Sequence, residues 1–145
     1  MKLLVVNGPN LNLLGIREKA LYGDRDYAAL CAYIREQAAA LGVEVDLFQS
    51  NHEGAIVDRI QAALSDGTRG IVINPAAYTH TSIAILDALK AVNLPAVEVH
   101  LTDVDAREPF RQVSYAGMAC RARFKGMGFE GYRKAMEWLR TNVPD

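Results

Sequence analysis

Several features that would mark a specialised protein are scarce in this sequence. Its 145 residues include two cysteines, Cys31 and Cys120, which lie far apart and lack the CxxC or Cys/His spacing of a metal site. We therefore expect two buried, reduced thiols. Neither a disulfide framework nor a zinc centre is predicted.

Charge of one sign is also missing, as are long hydrophobic runs. The chain has 16 Lys and Arg against 17 Asp and Glu, a balance that gives no hint of nucleic acid or an anionic membrane as a partner. No stretch reaches the roughly 20 apolar residues of a membrane span. The apolar opening is short, is interrupted by Asn7, Asn10 and Asn12, and lacks a cleavage site. The default expectation is a cytoplasmic protein.

Apolar runs that alternate with helical patterns are what the sequence does contain. Strands are predicted over residues 3–6, 43–48, 70–73, 96–99 and 119–124, and helices over 27–41, 53–65, 81–92, 107–115 and 129–141. Leu64 is expected on the apolar face of the second helix, and residues 8–25 form a long loop. This alternation predicts one α/β domain, 1–145. Its fold would be flavodoxin-like, with a five-stranded parallel sheet in the order 2-1-3-4-5 and helices on both faces.

Ligands of such a sheet bind at the carboxyl ends of its strands, near the point where the strand order reverses. The ends to inspect are residues 7–10, 74–82 and 98–103. A signalling receiver domain would need acidic residues at the first and third ends, where this chain has Asn and Pro. A flavin-phosphate loop would be rich in Ser and Thr, and residues 7–10 are not. Both functions are disfavoured.

Two of these ends carry groups suited to acid–base chemistry. Glu98 and His100 are two residues apart on a strand and point to the same face, so the carboxylate can orient and charge the imidazole as a general acid. Asn74 and His80 lie in a polar run that leads into a helix, whose N-cap is Thr81 or Ser82. A capped turn alone would explain the hydroxyls but not the pairing of Asn74 with His80.

Two further segments are ambiguous when taken alone. Arg17 and Tyr22 lie in the long loop, where a tyrosine acts as a base only if a nearby cation stabilises its phenolate. The run 126–131 is formally GxGxxG, but it follows the last strand rather than the first and lacks the acidic residue about 20 positions on. We interpret it as a tight turn, not a dinucleotide site.

Across nearly the whole chain, the order of these motifs resembles type II 3-dehydroquinate dehydratase. The similar segments are NGPNLNLLG, R-x-x-x-x-YG, QSNHEG, NPAAYTHTS, EVHLT and REPFR. The resemblance implies a flavodoxin-like fold and a metal-free lyase that needs no cofactor and no Schiff-base lysine. The implied reaction is anti elimination of water from 3-dehydroquinate through an enolate, which serves the shikimate pathway, quinate breakdown or both.

The resemblance also implies a role for each matching residue. Tyr22 would be the base that removes the C2 proton, with Arg17 lowering its pKa, in a lid of about residues 17–25. His100 would be the acid that protonates the C1 hydroxyl, oriented by Glu98. The remaining matches are Asn10, which holds a water on the enolate oxygen; Asn74 and the backbone of Leu101 and Thr102, at the C1 hydroxyl and carboxylate; and His80 and Arg111, at the ring hydroxyls.

The implied assembly is a homo-oligomer of trimers that form a dodecamer, with Asp87 reaching a neighbour's site. Asp87 lies in an otherwise apolar helix, where a charge is costly without a partner. The chain departs from the usual family pattern at Lys19 in the lid, at Leu86 before Asp87, at Thr102-Asp103, and at Gln112-Val113 after Arg111. None removes a catalytic group. The alternative is a binding module that keeps the pocket without turnover.

Overall fold

The structure, a computed structural model, describes residues 1–16, 19–22 and 25–145, and only the backbone of Leu21 and Tyr22. The described strands are β1 (Lys2–Asn7), β2 (Glu44–Gln49), β3 (Gly70–Asn74), β4 (Ala96–His100) and β5 (Ala122–Lys125). The helices are α1 (Lys19–Tyr22), α2 (Tyr27–Leu41), α3 (Glu53–Ala62), α4 (Ile83–Val92) and α5 (Glu130–Asn142). All strand pairs are parallel, and the sheet order is 2-1-3-4-5, which confirms the predicted flavodoxin-like architecture.

Helices cover both faces of the sheet. Successive side chains of a strand point to opposite faces, so each of the strands β1 to β4 contributes to both hydrophobic clusters. Leu3 and Val5 of β1 pack with α2 and α5, whereas Leu4 and Val6 pack with α3 and α4. All four are fully buried, and each such side chain stabilises the fold by about 1.5–3 kcal/mol. The inward residues predicted for the last helix, Tyr132, Ala135, Met136 and Leu139, are likewise fully buried.

Polar caps fix where α2 and α4 begin. Asp26 accepts a hydrogen bond from the amide of Ala29 at 2.8 Å, and α2 ends at Gly42 with φ 71°. Ser82, not Thr81, caps α4, with its hydroxyl accepting from the amide of Ile85 at 3.0 Å. Since α4 starts directly after the β3 loop, this cap also sets the path of residues 74–82.

The helix predicted over residues 107–115 is wrong. The segment contains a single 3₁₀ turn, Pro109–Arg111, and another, Val104–Ala106, precedes it. The amide of the Gln112 side chain lies within 3.3–3.4 Å of the backbone carbonyls of four residues between Val104 and Glu108. The side chain thereby donates to the backbone of this segment, which favours a turn over a helix.

Two boundaries also differ from the prediction. The last strand begins at Ala122 rather than 119, because the Ser114 hydroxyl accepts the amide of Gly117 and starts a 3₁₀ helix, Ala116–Ala119. The second helix ends at Ala62. Its last turn tightens to i→i+3 bonds, such as Leu64 to Gln61 at 3.1 Å, and so turns Leu64 out to 64% exposure.

Three smaller expectations are refined. The long loop over 8–25 contains a 3₁₀ helix, Leu11–Leu13, and α1. Cys31 and Cys120 are free, as expected, but only partly buried. Within residues 1–16, 19–22 and 25–145, no helix has the length and apolar character needed to cross a bilayer.

Candidate active site

A cavity of about 160 Å³ opens where the carboxyl ends of β1, β3 and β4 meet. This is the edge at which an open parallel sheet binds ligands. Seven residues predicted for the site line this cavity: Asn10, Asn74, His80, His100, Leu101, Thr102 and Arg111. The topology therefore brings together residues that are far apart in the sequence. Asn10 and Arg111, which are 101 positions apart, line the same cavity.

Glu98 and His100, which were predicted to face the same side of β4, lie close together. Nε2 of His100 lies 3.3 Å from Oε1 of Glu98, an ion-pair distance. Glu98 is fully buried and His100 is 4% exposed, so both are shielded from bulk water except through the cavity. With Nε2 turned to the carboxylate, Nδ1 is the ring nitrogen left for a ligand.

Glu98 is held as a carboxylate by its surroundings. The Ser114 hydroxyl lies 2.6 and 2.7 Å from its two oxygens, and Nε of Arg123 lies 3.4 Å from Oε2. Burial acts to raise the pKa of Glu98, but the hydrogen bond and charge of His100, the Ser114 hydroxyl and the charge of Arg123 together bring that pKa below its usual value. At neutral pH Glu98 is therefore an anion able to orient an imidazole.

Asn74 belongs to a buried hydrogen-bond chain beneath the cavity. Its Nδ2 donates to the Tyr132 hydroxyl at 2.9 Å, and that hydroxyl donates to Oδ1 of Asn7 at 2.6 Å. Its Oδ1 accepts the amide of Ala76 at 3.1 Å. Since an amide nitrogen has two hydrogens, Asn74 keeps one donor for a ligand in a fixed orientation.

His80 is oriented from the opposite wall. Its Nδ1 lies 2.8 Å from the carbonyl of Val113, and because a carbonyl only accepts, Nδ1 carries the proton. Burial lowers the pKa of His80, against the hydrogen bond to Val113, which raises it. The ring is therefore neutral at pH 7, and Nε2 can accept a hydrogen bond from a ligand hydroxyl.

Asn10 is placed by the end of the neighbouring strand. It has a left-handed φ of 69°, a conformation that Asn tolerates better than most residues. Its backbone amide donates to Oδ1 of Asn51 at 2.9 Å, and Gln49 donates to the same oxygen at 3.2 Å. Residues of the QSNHEG motif thus brace the loop after β1 rather than line the cavity.

Two arginines of the REPFR motif line the cavity, although only Arg111 was predicted. Nε of Arg111 donates to Oε2 of Glu108 at 2.5 Å, which fixes the guanidinium beside the opening. Arg107 lies in the same wall. The signal for Arg107 was present in the sequence, because it stands four positions before Arg111 in a turn-rich segment. Together they make this wall cationic.

The backbone at Leu101 and Thr102 is held by the turn after β5. The amide of Gly126 lies 3.2 Å from the carbonyl of His100 and 3.0 Å from that of Thr102, and Gly128 bonds the carbonyl of Leu101 at 3.1 Å. Gly126 and Gly128 have φ of 74° and 57°, which explains the glycines. The GxGxxG run is a tight turn, as predicted.

Comparison with protein families agrees with this geometry. A family model described as dehydroquinase class II matches residues 1–140. The chain belongs to the class II dehydroquinase family.

Individual proteins resemble nearly the whole chain. A 3-dehydroquinate dehydratase of Clostridium perfringens (strain 13 / Type A) is 51% identical over 143 residues, covering 99% of this chain and 98% of that protein. The crystal structure of type II dehydroquinase from Butyrivibrio crossotus has a TM-score of 0.94 at 51% identity and covers 96% of this chain and 97% of its own. A 3-dehydroquinate dehydratase-like protein from Bifidobacterium longum is more distant, with a TM-score of 0.72 at 31% identity.

Arg17, Tyr22 and Asp87, the other residues expected to act in a class II dehydroquinase, are not among the groups placed at this cavity by the described residues. Arg17 and the side chain of Tyr22 lie outside the described residues, and only the backbone of Tyr22 is placed, at the end of α1. Asp87 is exposed on α4, away from the cavity of its own chain. Because it is exposed, the burial cost anticipated for Asp87 does not arise within one subunit.

Metal ligands were not expected in a class II dehydroquinase. In the part of the chain that the structure describes, no group of three or more His, Cys, Asp or Glu side chains is arranged to hold a metal ion. The polar groups around the cavity are instead amides, imidazoles and guanidinium groups, which suit an oxygen-rich anion.

Proposed function

We propose that this chain catalyses the loss of water from 3-dehydroquinate to give 3-dehydroshikimate, by anti elimination through an enolate. The observation that carries this proposal is His100, held on buried Glu98 and facing a cavity that also contains Asn74, His80 and Arg111. An acid fixed beside an amide, a neutral imidazole and a cation matches a substrate with a leaving hydroxyl, ring hydroxyls and a carboxylate.

Proton removal is the first step of the proposed reaction. Tyr22, as a phenolate stabilised by Arg17, takes the proton from C2, next to the ketone. The C–H electron pair forms the C2=C3 bond of an enolate, whose oxygen is stabilised by a water held by Asn10. The left-handed Asn10, braced on Asn51, supports this role because its position is fixed before substrate arrives.

Loss of the hydroxyl is the second step. The enolate collapses to restore the ketone, the C1–C2 double bond forms and the C1–O bond breaks. His100 supplies the proton that makes the departing hydroxyl a water molecule. The close contact of Nε2 with the Glu98 carboxylate supports this assignment, because it leaves Nδ1 as the ring nitrogen available to the substrate.

The other residues of the cavity are proposed to bind the substrate. Asn74 and the backbone of Leu101 and Thr102 would bind the C1 hydroxyl and carboxylate, and His80 and Arg111 the ring hydroxyls. We add Arg107, whose charge lies on the same wall as Arg111 and attracts the anionic substrate. We also propose a reducing compartment, the cytoplasm, because both cysteines are free.

The test is enone absorbance when the purified protein meets 3-dehydroquinate. We expect absorbance to grow with the parent protein and to be strongly reduced with His100→Ala. Tight binding of 3-dehydroquinate without turnover by the parent protein would instead support the binding-module alternative. Calorimetric titration with the same compound distinguishes the two.

The absence of a cofactor stays a prediction with its own measurement. Activity should survive exhaustive chelation, and borohydride added with substrate should leave the mass of the protein unchanged. Loss of turnover in chelator that one metal restores would contradict the proposed chemistry. So would a stable adduct on a lysine.

A further inference from the structure

Glu98 lies between two cavities. On one side its Oε1 meets Nε2 of His100, which lines the cavity described above. On the other side the same residue lines an open surface cavity of about 400 Å³, together with Ser114, Arg121 and Arg123. The carboxylate is nevertheless fully buried. A charged group in the second cavity is therefore placed to act on His100 through Glu98.

Arg123 is the group placed to do so. It stands directly opposite Glu98 in the register of β4 and β5, and its Nε lies 3.4 Å from Oε2. That Nε is buried and has no hydrogen-bond partner among the described residues, so the link to Glu98 is one of charge at close range. Glu98 is 0% exposed and Arg123 30%, so water screens this pair only from one side.

Four charged or titratable groups act on Glu98. His100 approaches from β4, Arg123 from β5, and Cys120 from the segment between the 3₁₀ helix Ala116–Ala119 and β5; His80 acts from farther away. Burial raises the pKa of Cys120 to about 12, and burial lowers the pKa of His80, so both are neutral at pH 7. The guanidinium of Arg123, by contrast, is a permanent cation.

We propose that Arg123 is a positioning residue for the dehydration: its guanidinium keeps Glu98 a carboxylate, and that carboxylate keeps the His100 imidazole in the orientation that delivers its proton. This inference rests on the proposed function. A protonated Glu98 would lose the charge that holds the ring. Burial favours the neutral acid, and the charge of Arg123 opposes this from the side away from His100, in addition to His100 itself and the Ser114 hydroxyl.

Gly117 leaves the space that this arrangement needs. A Cβ at this position would lie 2.7 Å from Oγ of Ser114 and 2.9 Å from Oε2 of Glu98. The absence of a side chain therefore leaves Glu98 its contacts with both the hydroxyl and the guanidinium. Ser114, Arg123 and His100 thus all lie against the Glu98 carboxylate.

The first experiment compares kcat against pH for the parent, Arg123→Met and Arg123→Lys. Met keeps the length of the side chain but removes its charge, so the pKa of Glu98 rises and the carboxylate survives only at higher pH. The acid side of the profile should move upward by about one pH unit, which is about tenfold in kcat on that limb. At alkaline pH kcat should recover, KM should change little, and Arg123→Lys should follow the parent.

Arg121→Met is the matched control, because Arg121 lines the same open cavity and is exposed but has no contact with Glu98 in the structure. Its profile should match that of the parent. A role of Arg123 in stability alone would lower kcat or the melting temperature of Arg123→Met equally at all pH values, without moving the acid limb.

Two further measurements address the carboxylate directly. Infrared titration of protein with carboxyl-labelled glutamate, with the Glu98 band assigned by its loss in Glu98→Gln, should show a higher midpoint in Arg123→Met than in the parent. Millimolar guanidinium should partly restore the acid-side activity of Arg123→Ala, because the second cavity is open. Tetramethylammonium at equal ionic strength should not.

An unchanged Glu98 midpoint and an unchanged acid limb in folded Arg123→Met would overturn the inference. That outcome is distinct from failure of the proposed function, in which the parent itself shows no turnover. The infrared midpoint can be measured even in that case, so the electrostatic part of the inference is tested separately from the reaction.

Discussion

The hydroxyl of Tyr132 joins two buried asparagines that end the two central strands. It donates to Asn7 and accepts from Asn74, and burial raises the pKa of Tyr132, so it stays a neutral phenol. Tyr132→Phe would leave a buried donor and a buried acceptor unpaired, at a cost of about 1–3 kcal/mol in the free energy of unfolding. Because Asn74 would lose its orientation, KM should rise as well.

Tyr27→Phe is the control for this substitution. The Tyr27 hydroxyl also meets Asn7, but at 3.4 Å and in a half-buried position. Urea unfolding should therefore show a smaller loss for Tyr27→Phe, and KM should stay near that of the parent. Equal losses in both variants would mean that the hydrogen bond to Asn74 contributes no more to stability than the contact of Tyr27 with Asn7.

Tyr22 carries the second prediction at this scale. Tyr22→Phe keeps the ring but removes the oxygen that takes the proton, so kcat should fall by roughly 10²–10⁴, the usual worth of a general base. Substrate binding should weaken little, because Asn74, His80 and Arg111 are untouched. Tyr33→Phe, whose ring packs on Phe129 with centroids 5.7 Å apart, is the control. Near-parental kcat in Tyr22→Phe would remove Tyr22 as the base.

Arg17 is expected to act on Tyr22 through its charge. Arg17→Ala would leave the phenol with a pKa near 10, the value of a free tyrosine. Its remaining kcat should therefore rise with pH more steeply than that of the parent. A parallel pH dependence in the two proteins would separate Arg17 from the ionisation of the base.

At the scale of elements, the loops after β1 and β3 approach each other too closely for any side chain. A Cβ on Gly8 would lie 2.4 Å from the carbonyl oxygen of Pro75, and the Gly8 amide bonds the carbonyl of Asn74 at 2.8 Å. Since backbone cannot yield as a side chain can, Gly8→Ala should destabilise the protein by several kcal/mol, in the range of severe overpacking.

Gly54→Ala is the matched control for Gly8→Ala. Gly54 lies in α3, and a Cβ there would meet nothing within 4 Å. Alanine should therefore stabilise the helix by about 0.5–1 kcal/mol. Thermal unfolding of the two variants should shift in opposite directions. A small effect of Gly8→Ala would mean that the two loops can separate without cost.

Elements with a regular apolar pattern were predictable from the sequence, and those shaped by side chain–backbone bonds were not. The run 70–73 and the spacing of Leu30 and Ile34 specify a buried strand and an amphipathic helix directly. The segment 104–120 has no such period. Gln112 and Ser114 bond to nearby backbone there, and these contacts depend on tertiary folding.

The site shows the same division. Glu98 and His100 could be paired from strand periodicity, Asn74 and His80 stood out at the end of a strand, and the resemblance to a family supplied the roles of Asn10 and Arg111. Arg123 could not be found in this way, because its contact with Glu98 depends on the register between β4 and β5. A one-residue slip of that register would turn Arg123 to the other face.

At the scale of the whole molecule, the exposed face of α4 is the feature that bears on assembly. Ile83 is 55% exposed, and it shares this side of the helix with exposed Ala84, Asp87 and Ala91. Such an apolar face around one carboxylate supports the proposal that Asp87 completes a neighbour's site in trimers that form a dodecamer. Light scattering should therefore show a large symmetric oligomer.

Hybrid oligomers give the sharper measurement. Co-assembly of Asp87→Ala subunits with Tyr22→Phe subunits should restore about a quarter of the sites, those that combine Tyr22 of one chain with Asp87 of the other. Co-assembly of His100→Ala subunits with Tyr22→Phe subunits is the control. His100 and Tyr22 of one site are expected to come from the same chain, so every site in such a hybrid keeps one of the two substitutions. A fully active monomer would refute the shared site.

The bond between Tyr132 and Asn7 joins residues 125 positions apart. During synthesis β1 therefore leaves the ribosome long before Tyr132, whose hydroxyl orients the Asn7 side chain at the end of β1. β1 also pairs with β2 and β3 alone, so its own partners arrive only after residues 44–49 and 70–74 are synthesised. Nascent chains can collapse around β1, but the pocket can be ordered for substrate only after α5 docks.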